Sequence, residues 1–544
     1  MREVPRERLT TAERLGASID RLISVVAPSW GLRRLQARAA RRVMFGSYRG
    51  AEKNRLTQSW TALGGSADAD LLPDLPTLRQ RCRDLNRNDA HASAITNTVV
   101  ANEVGTGLKP QSRPDVEALG LSEEDARLFT RMSERAWRKW CKTADAQNRM
   151  DFYEIQALVR RQILENGEVF VLPLMIKDEP GREYSLALEI IEADRVDTPP
   201  GQRGNKNIRD GVELGDRGQP IAYWIRKRHP GDVLFGQINQ AGSVEFVRYP
   251  AVNRAGRRNV LHLYHVKRPG QTRGEPFFAP VLSAFKDLAD YMEAEIVAAR
   301  VAACFAAFIT KNDAYGTVSA NPNVDAQGRK LDSLEPAMIE YLNPGESVSF
   351  GDPKRPSGAF EPFVLAVLRS IGSALGLPLE LVLKDFSKTN YSSARAALLE
   401  ARRFFRANQA WLAGRLCQPC WEWVMEEAWL REQLPAVDLF GEDREDWLKA
   451  IWIAPGWGWV DPVKEVESSK LAIDAQLSTL ADECAAQGRD WEDVLAQRKR
   501  EQDRMDELGL VAAAPAASSP TSAPDQPTAE PDSETEEEPV GANA

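Results

Sequence analysis

The stretch PVLSAFKDLADYMEAEIVAARVAACFAAFIT, residues 280–310, is the most informative about the fold. Its polar and apolar residues recur at helical spacing, which predicts one long helix over the whole stretch. About 30 residues of helix span roughly 45 Å, more than an isolated domain of this size usually needs. Alanine crowds the second half, and the small side chains of Ala298, Ala302 and Ala306 allow another helix to approach closely.

A second predicted helix, residues 360–375, follows this stretch after a loop-rich insertion. Pro, Gly and Asn punctuate residues 311–358, so we predict a small protruding module bracketed by two helices. Beyond it, GLPLELVL leads into a helix predicted from Ser392 towards Leu430, which Pro419 should bend or interrupt.

The remaining segments mix helical and strand-like patterns. Further helices are predicted over residues 75–103, 122–141, 151–165, 462–480 and 491–508. The segments GEVFVLPLM, YSLALEII, GVELG, IAYWIRKR, VEFVRYP and NVLHLYHV predict strands of a β-rich unit over residues 167–266, with GDRGQP as a hairpin turn. The predicted fold class is therefore α+β.

Charge is distributed unevenly along the chain. A chain of 544 residues is too long for one core, so two or three domains are expected. The net charge is -9, but residues 511–544 hold seven Asp and Glu and no Lys or Arg, so the rest is close to neutral. Net charge therefore does not predict long-range attraction to nucleic acid. We expect this acidic tail, rich in Pro, Ala and Ser, to be disordered.

The N-terminal region has the opposite charge. Residues 31–55 contain eight Lys and Arg against one acid. Such a run is either a solvated, partly disordered arm or a contact for nucleic acid or another partner.

Cysteine usage and hydropathy indicate the cellular compartment in which the chain folds. The six cysteines are thinly scattered, unlike a disulfide framework. No convincing secretory signal is visible, and no apolar run reaches membrane-spanning length. A reducing, cytoplasmic folding compartment and no membrane association are the expectation.

Two motifs invite a chemical interpretation that their context does not favour. Cys417 and Cys420 have CxxC spacing, but they lie in a tryptophan-rich helical stretch without two further zinc ligands at sensible spacing. His262 and His265 are three apart on a predicted strand, so their side chains point to opposite faces. No P-loop, dinucleotide fingerprint, GxSxG or HExxH occurs. We predict no catalytic residue, no metal site and no cofactor.

The stretch DFSKTNYSSARAALLEARRFF, residues 385–405, passes from a polar loop into an amphipathic helix. Asn390, Ser392 and Ser393 are all suitable N-caps, although capping needs only one of them. A helix start also favours an anion, to which Lys384 and Lys388 would add positive charge. Capping, contact with nucleic acid or another subunit, and catalysis stay open as alternatives, the last disfavoured because no base accompanies the hydroxyls.

Several segments, taken together in order and spacing, resemble lambda-type bacteriophage portal proteins. They are ENGEVFVL, GVELGDRGQPIAYWI, GEPFFAPVLSAFKDLADYMEAEIVAARVAACFAAFI, LNPGESVSF, GLPLELVLKDFSKTNYSSARAALLEARRFF and WIAPGWGWVDPVKEVESSK. The resemblance covers about residues 50–508 and leaves out the N-terminal arm and the acidic tail. It implies a portal fold with a mixed α/β wing, a two-helix stem, a small clip insertion and an α-helical crown.

The resemblance also implies a division of the chain. The expected parts are a basic arm (1–60), the wing (61–275), the first stem helix (276–310), the clip (311–358), the second stem helix (359–375), a tunnel-side loop (376–391), a spine helix and connection (392–460), the crown helices (461–510) and the acidic tail (511–544).

The function implied is structural. About twelve copies would form a ring at one capsid vertex, assembled in the host cytoplasm, through which double-stranded DNA passes without sequence specificity. The partners implied are the terminase large subunit, major capsid and scaffold proteins, and head-completion proteins. Candidate channel residues are Lys384, Lys388 and Asn390; candidate clip residues facing terminase are Lys330, Lys354 and Arg355; stem packing falls to Ala298, Ala302 and Ala306. The alternatives are an enzyme, for which no nucleophile and base are credible, and another ring-forming virion adaptor.

Overall fold

The computed structural model describes residues 59, 64–232, 245–303, 307–311, 346–350, 360–387, 389–458 and 461–510, with only the backbone at 301–303, 307–311 and 346–350. The chain divides into two compact units, Met1–Ala69 and Asp70–Ala544. All described elements lie in the second unit except the first residues of one short helix.

Most of the predicted helices are confirmed, but the helix predicted over residues 462–480 ends at Asp474. In chain order the described α-helices are α1 (Ala67–Leu71), α2 (Leu75–Asn88), α3 (Ala90–Glu103), α4 (Val116–Leu119), α5 (Glu123–Cys141), α6 (Phe152–Asn166), α7 (Leu282–Ala303), α8 (Phe360–Leu375), α9 (Leu379–Leu383), α10 (Tyr391–Leu412), α11 (Gln418–Leu430), α12 (Arg444–Trp447), α13 (Pro462–Asp474), α14 (Leu480–Ala486) and α15 (Trp491–Glu507). Along this part of the chain, no helix is long and apolar enough to cross a bilayer.

The strands form antiparallel sheets. They are β1 (Lys109–Ser112), β2 (Glu168–Met175), β3 (Leu186–Ile191), β4 (Ile208–Arg209), β5 (Val212–Leu214), β6 (Pro220–Arg226), β7 (Phe246–Pro250), β8 (Leu261–Tyr264), β9 (Ala307–Lys311), β10 (Glu346–Phe350) and β11 (Ala450–Ile453). The order β3-β2-β8 makes one sheet and β4-β5-β6-β7 another. The six predicted strands and the hairpin turn between β5 and β6 are confirmed.

Helix boundaries are set by polar caps. The predicted helix over residues 75–103 is two helices, because Asp89 has extended backbone and accepts a hydrogen bond from the N–H of Ala92 at 2.8 Å. Ser122 caps α5, and Asp151 forms a capping box with Glu154 at the start of α6. Each carboxylate or hydroxyl satisfies an amide that the first helical turn leaves without a partner.

The prediction of one helix over residues 280–310 is wrong at its C-terminal end. The helix α7 ends at Ala303, and Ala307–Lys311 form strand β9, which pairs antiparallel with β10. The sequence Ala-Phe-Ile-Thr-Lys contains β-branched and aromatic residues, which favour a strand once a partner is present. These residues therefore belong with the insertion and not with the first bracketing helix.

Pro419 interrupts the helix predicted from Ser392 towards Leu430, as expected. Residues Ala413–Cys417 form a π-helical segment between α10 and α11, and Pro419 stands in the first turn of α11. Proline has no N–H to donate to the carbonyl of Arg415, so the regular hydrogen-bond ladder must be rearranged there.

Aromatic side chains fill the largest hydrophobic core. The ring centroid of Trp137 lies 4.9 Å from Trp140, 5.0 Å from Phe152 and 5.5 Å from Trp421, which joins α5, α6 and α11. A second core joins α2, α3, α7, α8 and α10, and a third lies on the β-rich unit. Offset and tilted aromatic pairs of this kind stabilise a core beyond the area they bury.

A buried carboxylate ties α2 to the β-rich unit. Glu168, at the start of β2, accepts hydrogen bonds from Arg79 at 2.5 Å and from Arg273 at 2.6 Å through its Oε1. Its Oε2 lies 2.8 Å from Nε2 of His262 and accepts the N–H of Gly274 at 2.7 Å. Burial raises the pKa of Glu168, but the guanidiniums of Arg273 and Arg79 outweigh burial and hold it well below its usual range.

Candidate functional site

The loop between α8 and α10 is anchored by apolar side chains. Gly376 ends α8 with φ +73°, and the N–H of Leu377 donates to the carbonyl of Gly372 at 2.8 Å. The side chains of Leu377 and Val382 are buried in the second core. The loop is therefore held firmly at its first half and presents its polar second half outward.

The polar half exposes charged and hydroxyl groups. Lys384 is exposed, adopts φ +55° and ends the short helix α9. The carboxylate of Asp385 accepts the N–H of Ser387 at 2.9 Å, and Thr389 N–H donates to the carbonyl of Phe386 at 3.2 Å. The local turns orient Lys384 towards solvent, and Lys388 lies outside the described residues.

Asn390 is the residue that starts α10. Its Oδ1 accepts the N–H of Ser393 at 2.8 Å, so Asn390, and neither Ser392 nor Ser393, is the N-cap. Its side chain is exposed, but its carbonyl oxygen is already engaged in the cap. Of the alternatives open for residues 385–405, capping is confirmed for Asn390.

Replacing this cap should weaken α10 locally. We expect Asn390→Ala to cost about 1 kcal/mol, because the first-turn amides lose their acceptor. Hydrogen exchange measured on the backbone of residues 392–395 should speed up accordingly. Asn390→Asp keeps an acceptor and should retain native protection, whereas an unchanged exchange rate in Asn390→Ala would contradict the assignment.

The structure describes the other predicted site residues to different extents. Lys330, Lys354, Arg355 and Ala306 lie outside the described residues, and Ala302 is described only as backbone within α7. Ala298 is half-buried on α7.

The two bracketing helices pack together over the first part of α7. The ring of Tyr291 stacks on Phe360 with centroids 5.7 Å apart and meets the edge of Phe363 at 4.8 Å. Further along α7, Ile296 and Val297 are 50% and 49% exposed. This second part of the helix presents apolar side chains that the described residues leave uncovered.

Buried thiols confirm the structural interpretation of the CxxC pair. Cys417 and Cys420 are free and fully buried. Burial raises the pKa of both thiols well above the usual value, so both stay protonated at neutral pH. A protonated thiol is a weak nucleophile and a poor metal ligand.

The two histidines have separate partners. His262 bonds to Glu168 and stacks on Phe170, whereas His265 stacks on Trp411 with ring centroids 4.2 Å apart. Burial lowers the pKa of His265 to about 4, so this ring is neutral near pH 7. The His262 side chain is buried and His265 is half-buried, and each packs against an aromatic ring of the fold.

A third grouping contains residue types that bind metals. Oxygen atoms of Glu192 and Asp194 and a ring nitrogen of His229 lie within 4.8 Å of one another. The guanidinium of Arg83 already contacts both carboxylates, at 3.1 Å in the case of Glu192. One guanidinium within the fold thus offsets one of the two negative charges of this cluster.

Sequence comparison places the chain among known proteins. Residues 53–409 match the family described as phage portal protein, lambda family. The chain is 29% identical over 477 residues to the probable portal protein of Halomonas phage phiHAP-1, which covers 85% of this chain and 88% of that protein. It is 28% identical over 496 residues to portal protein B of Escherichia phage lambda, with 85% and 90% covered.

A comparison of folds gives a weaker likeness. The neck of an empty GTA particle, computed with C6 symmetry, contains a chain 15% identical to this one with a TM-score of 0.38. The alignment covers 68% of this chain and 93% of the other.

Proposed function

The chain belongs to the lambda family of phage portal proteins, and from that premise we propose how its parts serve a portal. Portal proteins form oligomeric rings at a vertex of the phage capsid, and this chain is a structural subunit of that kind rather than an enzyme. The observation that carries this conclusion is the family match together with relatives that align over 85% of the chain.

The proposed ring has about twelve copies and a central channel. Double-stranded DNA would enter through it during packaging and leave through it on infection. The terminase large subunit docks first, head-completion proteins replace it, and capsid and scaffold proteins surround the ring. Assembly would take place in the host cytoplasm.

Parts of the fold receive roles in this proposal. The helices α2–α6 and the β-rich unit form the wing, α7 and α8 form the stem, and the insertion carrying β9 and β10 forms the clip. Lys330, Lys354 and Arg355 of the clip are proposed to face terminase. The loop 376–391 lines the tunnel, α10 and α11 form the spine, and α13–α15 form the crown.

Purified protein offers the direct test of ring formation. Size-exclusion chromatography with negative-stain images should show rings with a central hole. A stable monomer at high concentration would contradict the proposal. A copy number other than twelve in recombinant rings would leave the ring itself standing.

The exposed part of α7 is the proposed contact between neighbouring stems. Ile296 and Val297 are apolar and half exposed, and Ala298 is small, as close helix packing requires. Ala302 and Ala306 continue the same alanine-rich sequence towards the insertion.

Placing charge on this face should block the ring and spare the subunit. We expect Ile296→Asp with Val297→Asp to shift the protein from rings to monomers by at least tenfold, because carboxylates would be desolvated at the interface. Chromatography and circular dichroism measure assembly and folding separately. Glu293→Gln, on the exposed surface of the same helix, is the matched control and should form rings. Normal rings in the double variant would remove these residues from the interface.

The exposed end of the tunnel-side loop is suited to weak contact with DNA that moves through the proposed channel. A channel through which DNA slides must not grip it, since each neutralised phosphate adds salt-dependent affinity. Lys384, repeated by ring symmetry and joined by Lys388, would guide the DNA backbone. Asn390 is proposed to contribute less, because its Oδ1 is used by the cap.

Removing both lysines should affect DNA and not assembly. We expect Lys384→Ala with Lys388→Ala to form normal rings but to change the DNA packaged or retained per particle by at least twofold. The measurement is packaged DNA per particle in a system with the cognate terminase. Lys177→Ala with Lys206→Ala, two exposed lysines of the β-rich unit, is the control. Normal packaging and retention in the loop variant would exclude these lysines from the channel site.

A further inference from the structure

A small basic cavity lies between α10 and α13, C-terminal to the Asn390 cap. It has a volume of about 260 Å³ and is lined by Arg395, Arg402 and Arg406 of α10, by Trp457, and by Lys464 and Glu465 of α13. We call it the arginine groove. Four cationic side chains thus meet one carboxylate among the described lining residues.

The groove is built around one indole ring. The guanidiniums of Arg402 and Arg406 lie over Trp457, 5.6 Å and 5.5 Å from the ring centroid. Trp457 is itself fixed, because its Nε1–H donates to Oδ1 of Asn102 at 3.0 Å. Arg402 also donates to the carbonyl of Gly458 at 3.2 Å. The two arginines are therefore held side by side despite their mutual repulsion.

The positive charge of the groove exceeds the local negative charge. Lys464 pairs with Asp461 at 3.0 Å, and Glu465 is the acid among the described lining residues, so two of the four cations are balanced. Burial lowers the pKa of Arg402, and the neighbouring Arg406 and Arg395 lower it further. An anionic group in the groove would reduce the electrostatic repulsion among these cations.

The acidic C-terminal segment has the required charge and length. All seven Asp and Glu of residues 511–544 fall between residues 525 and 538, without any Lys or Arg. Ala486 and Gln487 line the groove, and α15 then leads to Leu510, the last described residue. The 17 residues of α15 span roughly 25 Å. Fifteen further residues, extended, reach about 50 Å, enough to return to the groove.

We propose that the acidic segment 525–538 binds in the arginine groove. Tethering gives each copy an effective concentration in the millimolar range, so weak carboxylate–guanidinium pairs suffice. The tether, which DNA lacks, favours this occupant over DNA. Without the segment, the two unbalanced cations of each copy, repeated round the proposed ring, would hold any DNA within reach with salt-dependent affinity.

Zero-length cross-linking of the full chain tests the contact. Lys464 is suited to carbodiimide coupling, since its side chain is 73% exposed. We expect mass spectrometry to find Lys464 joined to carboxylates of residues 534–538. The cross-link should fall at least fivefold in Arg395→Glu with Arg402→Glu. Arg403→Glu is the matched control, since Arg403 lies on the same helix, 81% exposed, and does not line the groove.

A binding experiment separates the segment from DNA. The full chain with its seven tail acids changed to amides is titrated with a labelled peptide of residues 524–540 and, separately, with a short DNA duplex. We expect the peptide to bind and to lose at least tenfold in affinity in Arg395→Glu alone, which spares the Trp457 contacts. Loss of duplex binding without any peptide binding would assign the groove to DNA. Absence of both the cross-link and peptide binding would overturn the proposal.

Discussion

Replacing Glu168 with glutamine is expected to lower the free energy of unfolding by about 3–5 kcal/mol, the usual cost of removing one partner from a buried ion pair. Glutamine matches the shape of glutamate but carries no charge, so the side chains of Arg79 and Arg273 would stay buried without their main counter-charge. Asp210 would still contact Arg273 at 2.7 Å. Urea unfolding followed by near-UV circular dichroism measures the loss.

A surface ion pair of the same unit supplies the control. Glu213 accepts hydrogen bonds from Arg248 at 2.8 Å and 3.0 Å, and Arg248 is exposed to solvent. Glu213→Gln should therefore cost less than about 1 kcal/mol, since water screens exposed pairs. Equal losses in the two variants would show that Glu168 does not compensate the buried guanidiniums.

The same network predicts the direction of pH dependence. The pKa of Glu168 is lowered in the folded state, so its contribution is present above its ordinary pKa of 4.5 and is lost as pH falls towards the folded value. Burial lowers the pKa of His262, and its bond to Glu168 only partly offsets this. Below the ordinary value of 6.5, the unfolded chain binds a proton that His262 resists, so stability already declines there. Glu168→Gln should remove the part of the decline below pH 4.5.

Local patterns predicted most elements, and distant partners account for the misses. The apolar run with β-branched and aromatic residues in GEVFVLPLM marks β2 by itself, whereas the Lys-Pro-Gln-Ser sequence of β1 becomes a strand only by pairing with β11. Strand β9 is not predictable from its own sequence for the same reason. Its alanine-rich surroundings continue a helical pattern, and only the pairing with β10, which includes Phe350, makes it a strand.

The same limit applies to the candidate sites. The sequence predicted that one of three side chains caps α10, but only geometry distinguishes Asn390 from the two serines. The arginine groove joins α10 to Trp457, more than 50 residues away, and no helical or strand period connects the two. The aromatic segment WIAPGWGWVDP carries part of the family resemblance, but no sequence pattern marks Trp457 as a platform for arginines.

Replacing Gly167 with alanine is the second change expected to have a large effect. Gly167 ends α6 with φ +85°, and a Cβ there would lie 2.5 Å from the carbonyl carbon of Glu275 and 2.6 Å from that of Gly274. Backbone atoms cannot yield as a flexible side chain can. We expect a loss of at least 3 kcal/mol, about 1 kcal/mol from the left-handed conformation and the rest from the displaced chain. Soluble yield and urea unfolding measure it.

Substitutions at two further glycines separate the cost of the left-handed backbone conformation from the cost of displacing the neighbouring segment. Gly120 ends α4 with φ +60°, but its added Cβ would meet open space, so Gly120→Ala should lose only about 1 kcal/mol. At Gly274 an added Cβ would overlap the carbonyl oxygen of Gly167, so Gly274→Ala should lose nearly as much as Gly167→Ala. The two backbone segments, around Gly167 and around Gly274, must cross this closely for the Gly274 N–H to reach Glu168. A loss in Gly167→Ala no larger than that in Gly120→Ala would therefore contradict both the close crossing and the buried network that depends on it.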